Sequence, residues 1–133
     1  MTNKFWLAAL LGIVFHLVYG FAIFGGLLAS YIETVFEGIG RTEPVMWPYV
    51  VRSAVIALVM AYMYPKGYKG GTPLAEGFRF GLLIAILFAV AGSLDFYATF
   101  PISGSVMFTM FLPEFIGTTL TGMVIAAVYG KIE

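Results

Sequence analysis

Four long apolar stretches, separated by short polar segments, take up most of this 133-residue chain. A hydrocarbon core of about 30 Å needs roughly 20 helical residues per crossing, and each stretch falls within the usual range of about 17 to 25. Because a backbone in lipid must satisfy its own hydrogen bonds, each stretch is predicted to be a helix. The predicted transmembrane spans are residues 5–28, 48–64, 76–94 and 106–129.

The composition of the chain indicates the same class of protein. It is 61% hydrophobic and only 11% charged, with a mean hydropathy of +0.97, which lies far from the values of a soluble domain. Four crossings consume about 80 residues and leave only short connections. The sequence therefore predicts a single domain over residues 1–133, an all-α integral membrane protein built as a four-transmembrane-helix bundle.

The basic residues fall unequally on the two sides of the predicted spans. Arg41 and Arg52 belong to one side, and the other side carries Lys4, Lys66, Lys69, Arg79 and Lys131. The side richer in Lys and Arg is normally cytoplasmic, so both chain termini are predicted inside, together with the acidic Glu133. The architecture is broadly similar to that of four-span bacterial proteins of unassigned role, and we expect a bacterial inner membrane.

A shift of 65 residues aligns several residues of the second and fourth spans. Pro48 falls on Pro113 and Tyr64 on Tyr129 in this register. A duplicated two-helix unit would give two tandem parallel hairpins related by an axis along the membrane normal. The bundle is thus predicted to contain either this internal repeat or a chance coincidence of apolar sequence.

Small residues recur on three of the spans at spacings that allow close helix approach. Helices in lipid associate through close van der Waals contact, which Gly, Ala and Thr permit. The three strips are Gly20, Gly25, Gly26 and Ala29 on the first span, Gly77, Gly81 and Ala85 on the third, and Thr118, Gly122 and Ala126 on the fourth. Each is predicted to pack against another helix of the bundle.

Apart from Glu76 and Arg79 in the first turn of the third span, three ionisable side chains lie within the spans rather than between them: His16, Arg52 and Glu114. A lone charge near mid-bilayer costs at least about 2.5 to 3.5 kcal/mol, so pairing is expected. Arg52 and Glu114 are predicted to pair inside the bundle. The side chains predicted to complete a hydrogen-bonded polar layer around His16 and this pair are Thr118, Thr119 and Tyr19.

This polar layer has two interpretations. As a functional site it is a proton relay, or a binding site for an anionic head group or small solute, with Glu114 and His16 titrating beside a permanently charged Arg52. As a structural feature, the Arg–Glu pair sets the register of the bundle and His16 is a satisfied core histidine. The sequence leaves both interpretations open.

Other candidate chemistry is sparse. Lys66 and Lys69 lie in a Gly-rich turn without P-loop spacing, which favours contact with lipid head groups. The chain has no cysteine for a Cys-based metal site, and its single histidine cannot supply both axial ligands of a b-type haem. The acidic residues Glu33, Glu37, Glu43 and Asp95 are too dispersed to define a coordination set, so we expect neither a metal site nor a cofactor. A net charge of zero gives no reason to expect a nucleic-acid partner.

The sequence favours a non-catalytic accessory or structural subunit, whose partners are membrane lipids and larger membrane proteins. Its tiny extramembrane parts and aromatic-rich spans suit packing against other subunits. The alternative is a small transporter or channel that self-associates and uses the polar layer. A membrane-embedded enzyme is the third interpretation and the weakest, because the chain has no Ser–His–Asp set, no HExxH and no dinucleotide fingerprint.

Overall fold

The computed structural model describes residues 2–132, so the terminal Met1 and Glu133 of the predicted domain lie outside the described residues. This part of the chain contains helices and no strand. The α-helices are α1 (Asn3–Ala22), α2 (Ala29–Val35), α3 (Trp47–Gly67), α4 (Pro73–Ala85), α5 (Ala91–Thr99) and α6 (Gly104–Tyr129). A π-helical segment, Ile23–Leu27, follows α1, and a second, Ile86–Val90, joins α4 to α5.

Four helices within the described residues are long and apolar enough to cross a membrane, which confirms the predicted number. They are Asn3–Leu27, Trp47–Gly67, Pro73–Thr99 and Gly104–Tyr129. The third is longer than predicted, because the helix passes Asp95 and ends only where Phe100 adopts an extended backbone. Asp95 is exposed, so its charge does not oblige the helix to stop there.

Two prolines lie inside helices. Pro65, one residue beyond the predicted second span of 48–64, sits in the last turns of α3. It deprives the Ala61 carbonyl of its usual N–H partner, and the Tyr129 hydroxyl donates to that carbonyl instead, at 2.8 Å. Pro113 lies within the continuous helix α6.

Local sequence determines where most of these helices begin and end. The side chains of Thr2, Thr72 and Ser103 each accept a hydrogen bond from a backbone N–H in the first turn of the following helix. At the other end of α6, Gly130 has φ +65, a conformation that glycine adopts without a steric penalty. These caps make the helix boundaries a property of the local sequence rather than of the bundle.

The helices pack in the spatial order α3, α1, α6, α4. The α4–α6 contact is the most extensive, and α3 barely touches α4. A Cβ atom on Gly122 would lie 2.6 Å from the Gly81 Cα and 2.8 Å from the Gly77 carbonyl oxygen, so α4 and α6 meet backbone to backbone. The small residues of the third and fourth spans therefore pack as predicted.

The glycines of the first span behave differently. A Cβ on Gly20 would meet nothing within 4 Å, and one on Gly25 or Gly26 would meet only residue Phe21 of the same helical run, at 3.8 Å. Ala29 is only partly buried. The prediction that this strip packs against another helix of the bundle is wrong within the described residues.

Burial divides the bundle into two halves. The closed half, residues 3–16, 53–67, 73–89 and 117–129, holds every buried residue that the structure describes. Its core contains the rings of Tyr64 and Tyr129, with centroids 5.5 Å apart, and Phe80, also 5.5 Å from Tyr64. The open half, residues 17–27, 47–52, 90–99 and 104–116, contains no buried residue. The four helices thus pack tightly only at the end that carries the chain termini.

The change from closed to open half coincides with irregular helix geometry. The π segment Ile86–Val90 packs beside α6, and Tyr19, one turn before the other π segment, donates to the Pro113 carbonyl at 2.7 Å. The π segment Ile86–Val90 and Pro113 therefore both lie on helices that pack together at this boundary, and the other π segment begins one turn beyond Tyr19. Segments of π-helix often occur at functional sites, and the polar layer lies at this same boundary.

Candidate functional site

The structure brings Arg52 of α3 and Glu114 of α6 together. The Arg52 guanidinium donates a hydrogen bond to Glu114 Oε1, and the two side chains form an ion pair. The expectation of a pair enclosed inside the bundle is wrong, however, because the Arg52 side chain is 50% exposed and that of Glu114 is 19% exposed. The helices have separated at this level, so the pair lies at the edge of the open half.

His16 of α1 occupies the enclosed side of the pair and is only 4% exposed. Its Nδ1 lies 2.8 Å from the Ser53 hydroxyl, and its Nε2 lies 3.5 Å from Glu114 Oε1. A neutral imidazole fits both neighbours when Nε2 carries the proton facing the carboxylate and Nδ1 accepts from the Ser53 hydroxyl. His16 thus connects a hydroxyl on α3 with a carboxylate on α6.

Ser53 is the member of this site that sequence reasoning missed. It is buried in α3, directly after Arg52. The only signal was its alignment with Thr118 in the register that matches Pro48 with Pro113. A serine in an apolar helix commonly bonds to its own backbone, so its sequence position did not reveal a contact with His16.

Tyr19 lies next to the pair without bonding to it. Its hydroxyl donates to the Pro113 carbonyl at 2.7 Å, one residue before Glu114. Its ring covers Gly117, where a Cβ atom would overlap the ring. Tyr19 therefore joins α1 to α6 through the backbone, and the hydrogen bond predicted between this residue and the charged groups is absent among the described residues.

The two threonines of the predicted layer are buried in α6 but belong to its packing. The Thr119 hydroxyl donates to the Phe115 carbonyl of its own helix at 2.9 Å, and the Thr119 backbone faces Gly81 of α4. Thr118 is buried, and no hydrogen bond joins it to the charged side chains in the described structure. The structure does not bring either residue into the network around Glu114.

Lys66 and Lys69 lie near the end of the bundle that carries the chain termini. The Lys66 ammonium lies 4.4 Å from the centre of the Tyr62 ring, a cation–π contact. The backbone N–H of Lys69 donates to Glu76 Oε2 at 3.2 Å, and Glu76 also accepts from Arg79 at 2.6 Å. The Glu76 carboxylate therefore holds this Gly-rich turn against the start of α4.

Ser53, His16, Glu114 and Arg52 form one connected group of polar side chains. One ring nitrogen of His16 faces a hydroxyl and the other faces a carboxylate, which also contacts the Arg52 guanidinium. Comparison of the chain with protein-family profiles, with curated proteins and with solved structures found no match. A function for this chain has to be inferred from its own residues.

Proposed function

We propose that this chain is a non-catalytic subunit of a larger membrane assembly, bound to a neighbouring membrane protein through its open half. In this proposal the four candidate spans insert into a bacterial inner membrane with both termini in the cytoplasm. The two hairpins, α1 with α3 and α4–α5 with α6, are a tandem parallel pair whose symmetry is broken because α1 packs on α6 while α3 barely touches α4.

The half-exposed Arg52 side chain is the observation that supports this proposal. Arg52 precedes Gly67, the last residue of α3, by 15 residues and follows Trp47, the first, by five, which places it about 22 Å from one end of the helix and about 8 Å from the other. A guanidinium facing lipid costs about 2.5 to 3.5 kcal/mol at a helix centre and less at this distance from the end, and the cost still favours a polar neighbour. Another protein surface against Arg52 removes this cost.

The ion pair with Glu114 opposes the usual relief by snorkelling, because a guanidinium that extends to the head groups would have to leave that carboxylate. The guanidinium is held by Glu114 of α6, and Glu114 in turn lies beside the enclosed His16. An arginine has five N–H donors, and this contact occupies one of them. The remaining donors fit a transmembrane helix of the partner that supplies a carboxylate, hydroxyl or free carbonyl oxygen.

The unpacked glycines of the first span support the same proposal. Among the described residues, a Cβ on Gly20, Gly25 or Gly26 would meet no atom of another helix within 4 Å, although small residues of this kind are the ones by which helices approach one another in lipid. Gly81 and Gly122, with the same pattern, are in close backbone contact. A partner helix could approach the first span closely at its glycines, as α4 and α6 approach each other at Gly81 and Gly122.

Purification of the tagged chain from its native membrane in mild detergent tests the proposal. We expect a second membrane protein in stoichiometric amount with the wild type, reduced several-fold in Arg52→Gln. Arg41→Gln is the matched control, because it removes the same charge from an exposed position outside the spans. A clean monomer or homodimer, or equal recovery of the partner in all three proteins, would contradict the proposal.

A small homo-oligomeric transporter or channel is the second candidate function, and the position of His16 favours it. The Ser53 hydroxyl, the His16 ring and the Glu114 carboxylate form a continuous series with separations of 2.8 and 3.5 Å. This series lies where the open half begins, so a proton or small solute arriving from that side reaches Glu114 first. An oligomer would surround the half-exposed Arg52 with copies of the same chain.

Proteoliposomes containing a pH-sensitive dye distinguish the two candidates. A transporter predicts flux with the wild type that is lost in Glu114→Gln and in Arg52→Ala, and preserved in Lys66→Gln, whose ammonium lies on the Tyr62 ring away from the site. Flux that is indifferent to both site variants, or absent from the wild type, removes this second candidate.

A further inference from the structure

A separate polar feature lies at the terminal end of the closed half, far from the polar layer. A cavity of about 550 Å³ opens there between the start of α1 and the end of α6. Its lining residues are Thr2, Lys4, Pro65, Tyr129, Lys131 and Ile132. Among the described residues that line the cavity, two carry an ammonium group and none is acidic, so this lining combines positive charge with an apolar wall.

Lys4 is positioned for this cavity by the fold. Its ammonium donates a hydrogen bond of 3.0 Å to the carbonyl of Tyr129, the last residue of α6. A carbonyl at the end of a helix has no helical N–H to bond to, so this one is free to accept from Lys4. An ammonium has three N–H donors, so this contact leaves two available. Because the side chain is already ordered, a ligand that binds here pays little additional entropy for immobilising it.

The remaining walls suit a phosphate. The Thr2 side-chain oxygen accepts from the Phe5 N–H at 3.3 Å, which leaves the hydroxyl proton free to donate to a ligand. The start of α1 adds the positive end of a helix dipole, and the negative end of α6 is offset at this opening by the Lys4 ammonium that bonds to the Tyr129 carbonyl. Pro65 and Ile132 offer apolar contact at the same opening, which accommodates the glycerol and upper acyl part of a phospholipid as well as a free anion.

We infer that this cavity, which we call the terminal cavity, binds a phosphate mono- or diester anion through Lys4 and Lys131. The phosphate belongs either to a phospholipid head group or to a small phosphate in solution. The sequence prediction placed head-group binding at Lys66 and Lys69, but neither lines the terminal cavity, and Lys66 is occupied by the Tyr62 ring. This inference concerns the opposite end of the bundle from the proposed partner surface and does not depend on it.

Native mass spectrometry of the chain released from nanodiscs tests the inference. The nanodiscs contain phosphatidylcholine and phosphatidylglycerol in equal amounts, and the measured quantity is the phosphatidylglycerol retained per chain. Each lysine close to the surface attracts an anionic lipid by about 1 kcal/mol, so Lys4→Gln/Lys131→Gln is expected to lower retention roughly tenfold or more. Lys66→Gln/Lys69→Gln removes the same charge at the same end of the bundle and is expected to retain nearly the wild-type amount.

Single variants and a competitor complete the test. Lys131→Gln alone leaves the Lys4 contact with the Tyr129 carbonyl intact, and it is expected to reduce retention about fivefold without lowering the unfolding temperature. Inorganic phosphate is then added at millimolar concentration as a competitor. If it displaces the lipid, the cavity binds phosphate in general; if it does not, the cavity binds a phospholipid head group. Equal loss in both double variants, or loss in neither, overturns the inference.

Discussion

The closed and open halves of the bundle are made of the same helices and similar residues, yet only one of them is packed. In the closed half Gly81 and Gly122 bring two backbones into contact, and the rings of Tyr64 and Tyr129 fill the core. In the open half, a Cβ on Gly20 would meet nothing within 4 Å. Apolar composition alone therefore does not make two helices pack closely, because close packing depends on which faces find a complementary surface.

Glycine-to-alanine substitutions are expected to give the largest difference in the free energy of unfolding between the closed and the open half. Gly122→Ala adds a Cβ that would lie 2.6 Å from the Gly81 Cα, and neither backbone can move aside without separating α4 from α6. We expect a loss of about 2 to 3 kcal/mol in the free energy of unfolding, measured by denaturant titration in detergent micelles.

Gly20→Ala is the matched control in the open half, because its Cβ would meet nothing within 4 Å. Alanine is the better helix former, so stability should stay the same or rise by up to about 1 kcal/mol. If the two alanine variants were equally destabilised, the distinction between a packed and an unpacked half would be wrong.

The buried hydrogen bond between His16 and Ser53 should show a smaller effect. Ser53→Ala leaves His16 Nδ1 enclosed without its partner at 2.8 Å, and an unsatisfied buried polar group costs about 1 to 2 kcal/mol. Thr99→Ala removes an exposed hydroxyl that bonds only to the Asp95 carbonyl of its own helix, and we expect a change below about 0.5 kcal/mol. Thermal unfolding of both variants at one detergent concentration measures the difference, and equal effects would place Ser53 outside the packed region.

The smallest difference in stability is expected between phenylalanine variants of two tyrosines that lie in the core of the closed half. Tyr129→Phe removes the hydroxyl that donates to the Ala61 carbonyl and should cost about 1 kcal/mol. The Tyr64 hydroxyl is buried without a hydrogen-bond partner among the described residues, so Tyr64→Phe should be neutral or slightly stabilising.

The role of Pro65 provides a check on the Tyr129 prediction. Alanine at position 65 restores the N–H that the Ala61 carbonyl lacks. In the Pro65→Ala background, Tyr129→Phe should therefore cost clearly less than it does alone. An unchanged cost in this double-mutant cycle would show that the hydroxyl does not replace the missing helical bond.

The sequence predicted the number of membrane-length helices and the pairing of Arg52 with Glu114, because hydropathy and the cost of an isolated charge act locally. It did not predict the exposure of Arg52, which depends on how far α3 and α6 separate above Ser53. Small-residue spacing had a similar limit. The strips of α4, α6 and the first span look alike, and spacing alone does not say whether the complementary surface belongs to the same chain.

Hydroxyl groups were the least predictable part of the candidate site. Thr119 was predicted to join the polar layer, but its hydroxyl bonds to the Phe115 carbonyl of its own helix. Ser53 was not predicted, yet it bonds to His16 across two helices. A serine or threonine hydroxyl in a helix can bond either to a carbonyl of its own helix or to a side chain on a neighbouring helix. Which bond forms depends on whether the rotation of the helix turns the hydroxyl toward that neighbour.

Photo-cross-linking in the native membrane tests most directly whether another protein covers the open half beside Arg52. Benzoylphenylalanine replaces Tyr49, which lies one turn from Arg52 on α3 and is 49% exposed, or Tyr62, which is 50% exposed in the closed half of the same helix. The account predicts a protein adduct of defined mass from position 49 and lipid adducts alone from position 62. Lipid adducts alone from both positions would contradict it.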